Sequence, residues 1–139
     1  MAKTAAPVNK SVWRPIDGWN SLRPGIDKLP KAISKLGTPS RIMKDDGAYY
    51  FKNDSVMVGL NLNSDVIGRI EVSPSYPDPK LMPKTMDEVY KRYGHLEHAG
   101  TTKNHGNIYK RPGLEVISDP KKAPEEVSTL SFVDPKVQE

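Results

Sequence analysis

Two short helical segments, each ended by glycine and each followed by three apolar runs, occupy matching places in the two halves of this chain. In the first half, Leu29, Ala32, Ile33 and Leu36 fall at i, i+3, i+4 and i+7, one face of a helix. Asp27 stands where a cap is expected, Pro30 lies in the first turn, and Gly37 and Pro39 stop the segment. Met86, Val89, Tyr90 and Tyr93 repeat that spacing in the second half. There Thr85 and Glu88 form a capping-box pattern and Gly94 is the stop. Runs rich in β-branched and aromatic residues follow both helices: 48–51, 56–62 and 67–72 in the first half, 107–110, 113–118 and 127–133 in the second. Gly47, Asn53-Asp54 and Asn63-Ser64-Asp65 separate the first set as turn signals.

The halves align at offsets that drift from 57 to 60. Leu36-Gly37 lies against Tyr93-Gly94. Val56 and Val58 lie against Leu114 and Val116, and Ile67, Ile70 and Val72 against Val127, Leu130 and Phe132. In the aromatic run, residues 47–52 lie against 106–111 at an offset of 59, which matches Tyr50 with Tyr109. Such periodicity reads as an internal duplication. One unit of about 55 residues is marginal alone, so the two are expected to share a core. The fold expected is α+β: a tandem repeat of a helix plus three antiparallel strands, with the helices packed on one face of the sheet. Residues 1–19 are read as a largely disordered basic leader, 20–75 as the first unit, 76–84 as a Pro-rich linker, 85–133 as the second unit and 134–139 as a tail. Strands near 56–62 and 67–72 are expected at the centre, and 38–47 and 95–106 read as loops.

Charge is partitioned in the same way. Residues 1–36 carry +5, with Lys3, Lys10, Arg14, Arg23, Lys28, Lys31 and Lys35 against Asp17 and Asp27, while residues 37–139 hold 14 basic and 15 acidic residues, which gives the net +4. A duplex-binding face concentrates basic residues on a folded element, so the near-neutral body argues against it. With no cysteine, disulfides, thiolate zinc sites and a cysteine nucleophile are excluded. No apolar run approaches the ~20 residues of a spanning helix, and MAKTAAPVNK lacks the apolar stretch of a signal peptide. Two origins fit: a cytoplasmic protein, or an exported domain whose targeting segment has been removed.

Leu22-Arg23-Pro24-Gly25, the capped helix, Leu36-Gly37-Thr38-Pro39, Tyr49-Tyr50-Phe51, Val56-Met57-Val58 and Val66-Ile67-Gly68-Arg69-Ile70 together resemble the SmpA/OmlA-type envelope lipoproteins and the β-lactamase inhibitory protein-like fold. Met86-Asp87-Glu88-Val89, Tyr93-Gly94 and Ile108-Tyr109 match in the second unit, which departs at His95-Leu96, where a proline would follow the glycine. The resemblance spans residues 20–133. It implies a binding or scaffold role and export, with a membrane tether in the native precursor. It carries no inhibitory contacts across to particular residues.

Chemistry-bearing clusters are few. His95, His98 and His105 have a spacing that could supply three nitrogen ligands to zinc or nickel, and solvated loop histidines are the plainer reading. Asp45-Asp46, Asp87-Glu88 and Glu125-Glu126 are sequence neighbours, whereas acid–base work needs carboxyls converging from separate elements. Phosphate-loop, dinucleotide and nucleophile-elbow motifs are absent. The expected function is non-enzymatic, inhibitor-like or scaffold protein binding in the bacterial cell envelope, with no cofactor, through a sheet face and the loops 38–47 and 95–106, with Tyr50, Arg69, Tyr109 and Arg111 as the expected contacts. The alternative is a cytoplasmic nucleic-acid-associated protein using the basic leader.

Overall fold

The computed structural model describes residues 18–136 and 138. The expectation of a largely disordered basic leader lies, for residues 1–17, outside the described residues. The elements are α1 (Leu29–Leu36), β1 (Arg41–Met43), a 3-10 turn (Lys44–Asp46), β2 (Ala48–Phe51), β3 (Val56–Leu60), β4 (Ile67–Val72), α2 (Met86–Tyr93), β5 (Glu97–Thr101), β6 (Asn107–Arg111), β7 (Leu114–Asp119) and β8 (Glu126–Val133). The strands form one antiparallel sheet in the order β1-β2-β3-β4-β8-β7-β6-β5. The α+β class and the antiparallel sheet agree with the sequence reading. Three strands per unit does not: each helix is followed by four. The additional strands, β1 and β5, arise from the stretches read as loops, and both are sheet edges. The centre is β4 and β8, so 56–60 lies one strand farther out than expected.

Backbone bonds at the two helix starts correspond. Leu29 N donates to Asp65 O (2.8 Å) and Ile67 N to Asp27 O (2.9 Å); Met86 N donates to Glu125 O (2.9 Å) and Val127 N to Lys84 O (2.9 Å). Lys28 bridges Val66 as Thr85 bridges Glu126. Gly37 (φ 92°) and Gly94 (φ 85°) end the helices in conformations that favour glycine, each returning its N–H to the carbonyl four residues back.

The helix starts differ in how they are capped. Thr85 and Glu88 form the expected reciprocal capping box. In α1 the N-cap is Lys28, without a side-chain cap bond. Asp27 sits one residue earlier and instead binds Arg23 and Lys31, at 3.0 and 3.2 Å.

Strand alternation sorts the sheet into two faces. One carries the row Phe51–Val56–Val72–Leu130–Val116–Tyr109–His98 and the row Ile42–Tyr49–Val58–Ile70–Phe132–Leu114–Arg111. Their central members form a single core cluster with Ala32 and Leu36 of α1 and Met86 and Val89 of α2. Tyr93 of α2 meets the Phe132 ring edge-on at 5.8 Å. Both helices therefore cover this face. At Gly68 the register shifts by one residue, with Arg69 opposite Gly59 but Ile67 opposite Leu60. The shift keeps Ile67 in the core.

The segment between the units is anchored. Tyr76 and Met82 are buried, and Trp19 is also buried, donating its indole N–H to Leu81 O (2.7 Å) and meeting Tyr76 edge-on at 5.4 Å.

Candidate functional site

The second sheet face carries neither helix. One residue from each of the eight strands forms a row across it: Arg41–Tyr50–Met57–Glu71–Ser131–Glu115–Lys110–Glu97. Arg69 lies beside this row, between Gly59 and Val133. Its guanidinium passes over β8 to reach Glu115 on β7 (3.2 Å) and also contacts Glu71 (3.5 Å). The small Ser131 beneath it is consequently buried. At one edge, the Arg41 guanidinium lies 4.0 Å from the centre of the Tyr50 ring and pairs with Asp54 (3.3 Å). The ring is thus held by a cation–π contact with its neighbour strand, and neither helix touches it. The face presents an aromatic ring, a thioether and charges of both signs.

Of the four residues expected to contact a partner, Tyr50 and Arg69 lie on this open face. Tyr109 and Arg111 lie on the helix-covered face. Arg111 is 7% exposed and donates to Tyr93 O, closing the end of α2. The physical reason is a one-residue slip in the aromatic run. Cross-strand pairing places Tyr49 opposite Val58 and Tyr109 opposite Val116, so Tyr109 corresponds to Tyr49, while Tyr50 corresponds to Lys110 and Phe51 to Arg111. In a strand, one residue of slip changes the face.

Tyr109 belongs to a polar cluster at the β5 end of the covered face. Its hydroxyl donates to Glu125 (2.9 Å), as does the Asn107 amide (3.0 Å); the Ser118 hydroxyl bonds the same carboxylate. His98 Nε2 meets the Asn107 amide oxygen at 3.2 Å. Burial alone would raise the Glu125 carboxyl, but the bonds from Ser118, Asn107 and Tyr109 outweigh it and hold the group below the ordinary carboxylate range. Burial, then the bond to Glu125, pushes the Tyr109 hydroxyl up. The signal that could have found this cluster is a glutamate after proline, beside two paired strands in which Asn107 and Tyr109 of β6 and Ser118 of β7 alternate inward. It was hidden by the misplaced register.

The three histidines do not converge. His95 bonds Glu97 (3.1 Å), His98 bonds Asn107, and His105 sits in the turn before β6 with φ 67°. Among the described residues, no group of three His, Asp or Glu side chains is arranged to hold a metal ion. The acidic neighbours are dispersed: Asp45 and Asp46 are exposed in the 3-10 turn, and Glu88 caps α2. Among the described residues, no helix is long and apolar enough to cross a membrane. The chain matches no protein family, no curated protein and no solved structure.

Proposed function

We propose that this chain is a duplicated helix-plus-four-strand unit acting as a non-catalytic binding domain, whose open sheet face docks on a protein partner. The observation that carries the reading is the sheet face that neither helix covers among the described residues. An eight-stranded sheet has one side closed by both helices, while the other presents Tyr50, Met57 and the Arg69–Glu71–Glu115 cluster. Aromatic, Met and Arg side chains are enriched at protein interfaces, and Tyr and Arg supply many of the residues that dominate binding. The interleaved signs suit a protein surface better than a phosphate backbone, which needs a basic stripe. The matched bonds at the two helix starts support duplication, with four strands per unit in place of three. The likeness to the SmpA/OmlA type supports a place in the cell envelope, which fractionation of the native host tests.

Tyr50 and Arg69 supply the direct test. Neither is in the core, so Tyr50→Ala and Arg69→Ala should leave the melting curve within about 0.5–1 kcal/mol of the parent. Each should weaken binding of the partner captured from the native host by about tenfold or more. Unchanged affinity in both variants would remove the open face from the interaction.

A further inference from the structure

Around Glu125 the second half departs from the first in a way that core packing does not require. Tyr90 of α2 meets Tyr109 at a ring-centre distance of 6.3 Å and an angle of 82°. His98 meets Tyr109 at 5.6 Å and 71°, and His95 stacks on Tyr90 at 6.4 Å. The four rings therefore form a contiguous chain, His95–Tyr90–Tyr109–His98, with two pairs near perpendicular and His95 parallel to Tyr90 at 13°. Glu125, fixed by three donors, has no cationic partner within ion-pair distance among the described residues. Asp87 acts electrostatically on Tyr90 and Glu97 lies on His95, while His98, when protonated, acts on Glu125 as a positive charge. His95 and His98 are exposed, while Tyr90 and Tyr109 are half-buried.

The corresponding positions of the first half show what packing alone demands. Tyr90 corresponds to Ile33, since Gly94 and Gly37 return their N–H groups to these two residues. His98 corresponds to Ile42, since each pairs with the tyrosine of the next strand. Glu125 corresponds to Asp65, whose carbonyl accepts the first N–H of its helix as that of Glu125 does. Isoleucine serves at two of these places, and there the residues remain exposed at 38% and 51%. The second half replaces them with π-systems next to a fixed negative charge. Ring faces attract cations, and a neighbouring carboxylate strengthens that attraction.

We infer that Tyr90, Tyr109, His95 and His98, together with Glu125, form a site for an organic ammonium cation, either a free quaternary ammonium or a lysine side chain of another protein. The site lies on the covered side of the sheet and does not depend on the open face. The full chain is titrated with tetramethylammonium chloride, and separately with the capped peptide acetyl-Gly-Lys-Gly-amide, against potassium chloride at equal ionic strength. The Tyr90 and Tyr109 ring protons are followed by NMR. A saturable shift with either probe, absent with potassium, is expected. Tighter binding of the first probe identifies a free quaternary ammonium, and tighter binding of the peptide a lysine side chain. Glu125→Gln should weaken binding by about tenfold. Tyr90→Leu, which leaves the hydrogen bonds to Glu125 intact, should weaken it similarly. Shifts that never saturate with either probe, or affinities unchanged in both variants, would overturn the site.

Discussion

Phe132→Ala is expected to lower the unfolding free energy by ~3–5 kcal/mol, enough to leave a domain of ordinary stability partly unfolded at 37 °C. Phe132 is fully buried at the centre of the covered face, opposite Ile70 on β4 and Leu114 on β7, with the Tyr93 ring of α2 against it. It therefore joins the two halves of the sheet and one helix at a single point. Deleting the ring leaves a cavity walled by all three. Phe132→Leu retains most of the volume and should cost less, by about half or more. Urea denaturation of the two variants measures both effects. A loss below 1 kcal/mol for the alanine variant would contradict a core shared between the halves.

Asp27 governs the second large effect. It is 8% exposed and receives Arg23 through its guanidinium and backbone N–H, with Lys31 adding a further bond. The hydrogen bond from the Arg23 side chain is the leading cause that holds this carboxyl down to about 2; burial opposes it, and the Arg23 N–H and Lys31 add to it. The unfolded chain has a value near 3.9. A carboxyl lowered in the folded state contributes stability above the unfolded value and loses it as pH falls through the folded one. The contribution is on the order of 2 kcal/mol at neutral pH, fading between about pH 4 and pH 2. Asp27→Asn should remove that amount at pH 7, and the difference from the parent should vanish near pH 2. Because Asp27 O also accepts from Ile67 N, the loss should be felt first where α1 joins β4. A difference that persists unchanged to pH 2 would mean the charge is not the source.

Both helices, their glycine stops and six of the eight strands were legible because they rest on local signals: helical spacing, a capping box and runs of β-branched residues. The two edge strands were not. β1 is three residues, Arg-Ile-Met, and β5 is Glu-His-Ala-Gly-Thr, with a register shift between His98 and Gly100. Neither alternates hydrophobic with polar, because an edge strand is specified mainly by the strand it lies against. Short, charged or bulged edges also resist pairing with other chains, so their lack of pattern has a physical use. Asp27 read as a cap because Asp favours that position; local bonds to Arg23 and Lys31, four residues away on either side, draw it elsewhere.

The candidate site was half legible for a related reason. Tyr50 and Arg69 were found because exposed aromatic and arginine residues on strands stand out. Tyr109 and Arg111 were assigned to the same surface through an offset of 59, whereas cross-strand pairing requires 60 in that strand. A sequence alignment tolerates one residue of slip, but a pleated sheet does not. The cluster around Glu125 depends on two strands, a loop and an edge meeting in space, and the misplaced register hid the inward alternation that pointed to it.

Site-specific photo-cross-linking in the native host tests the open face most directly. The reactive residue is placed in turn at Tyr50, Met57 and Lys110, which span the open face, and at Ser34 and Lys91, which are exposed on the helices. The account predicts one discrete protein adduct shared by the three sheet positions and absent from the two helix positions. The same adduct from the helix positions, or none from the sheet, would contradict it.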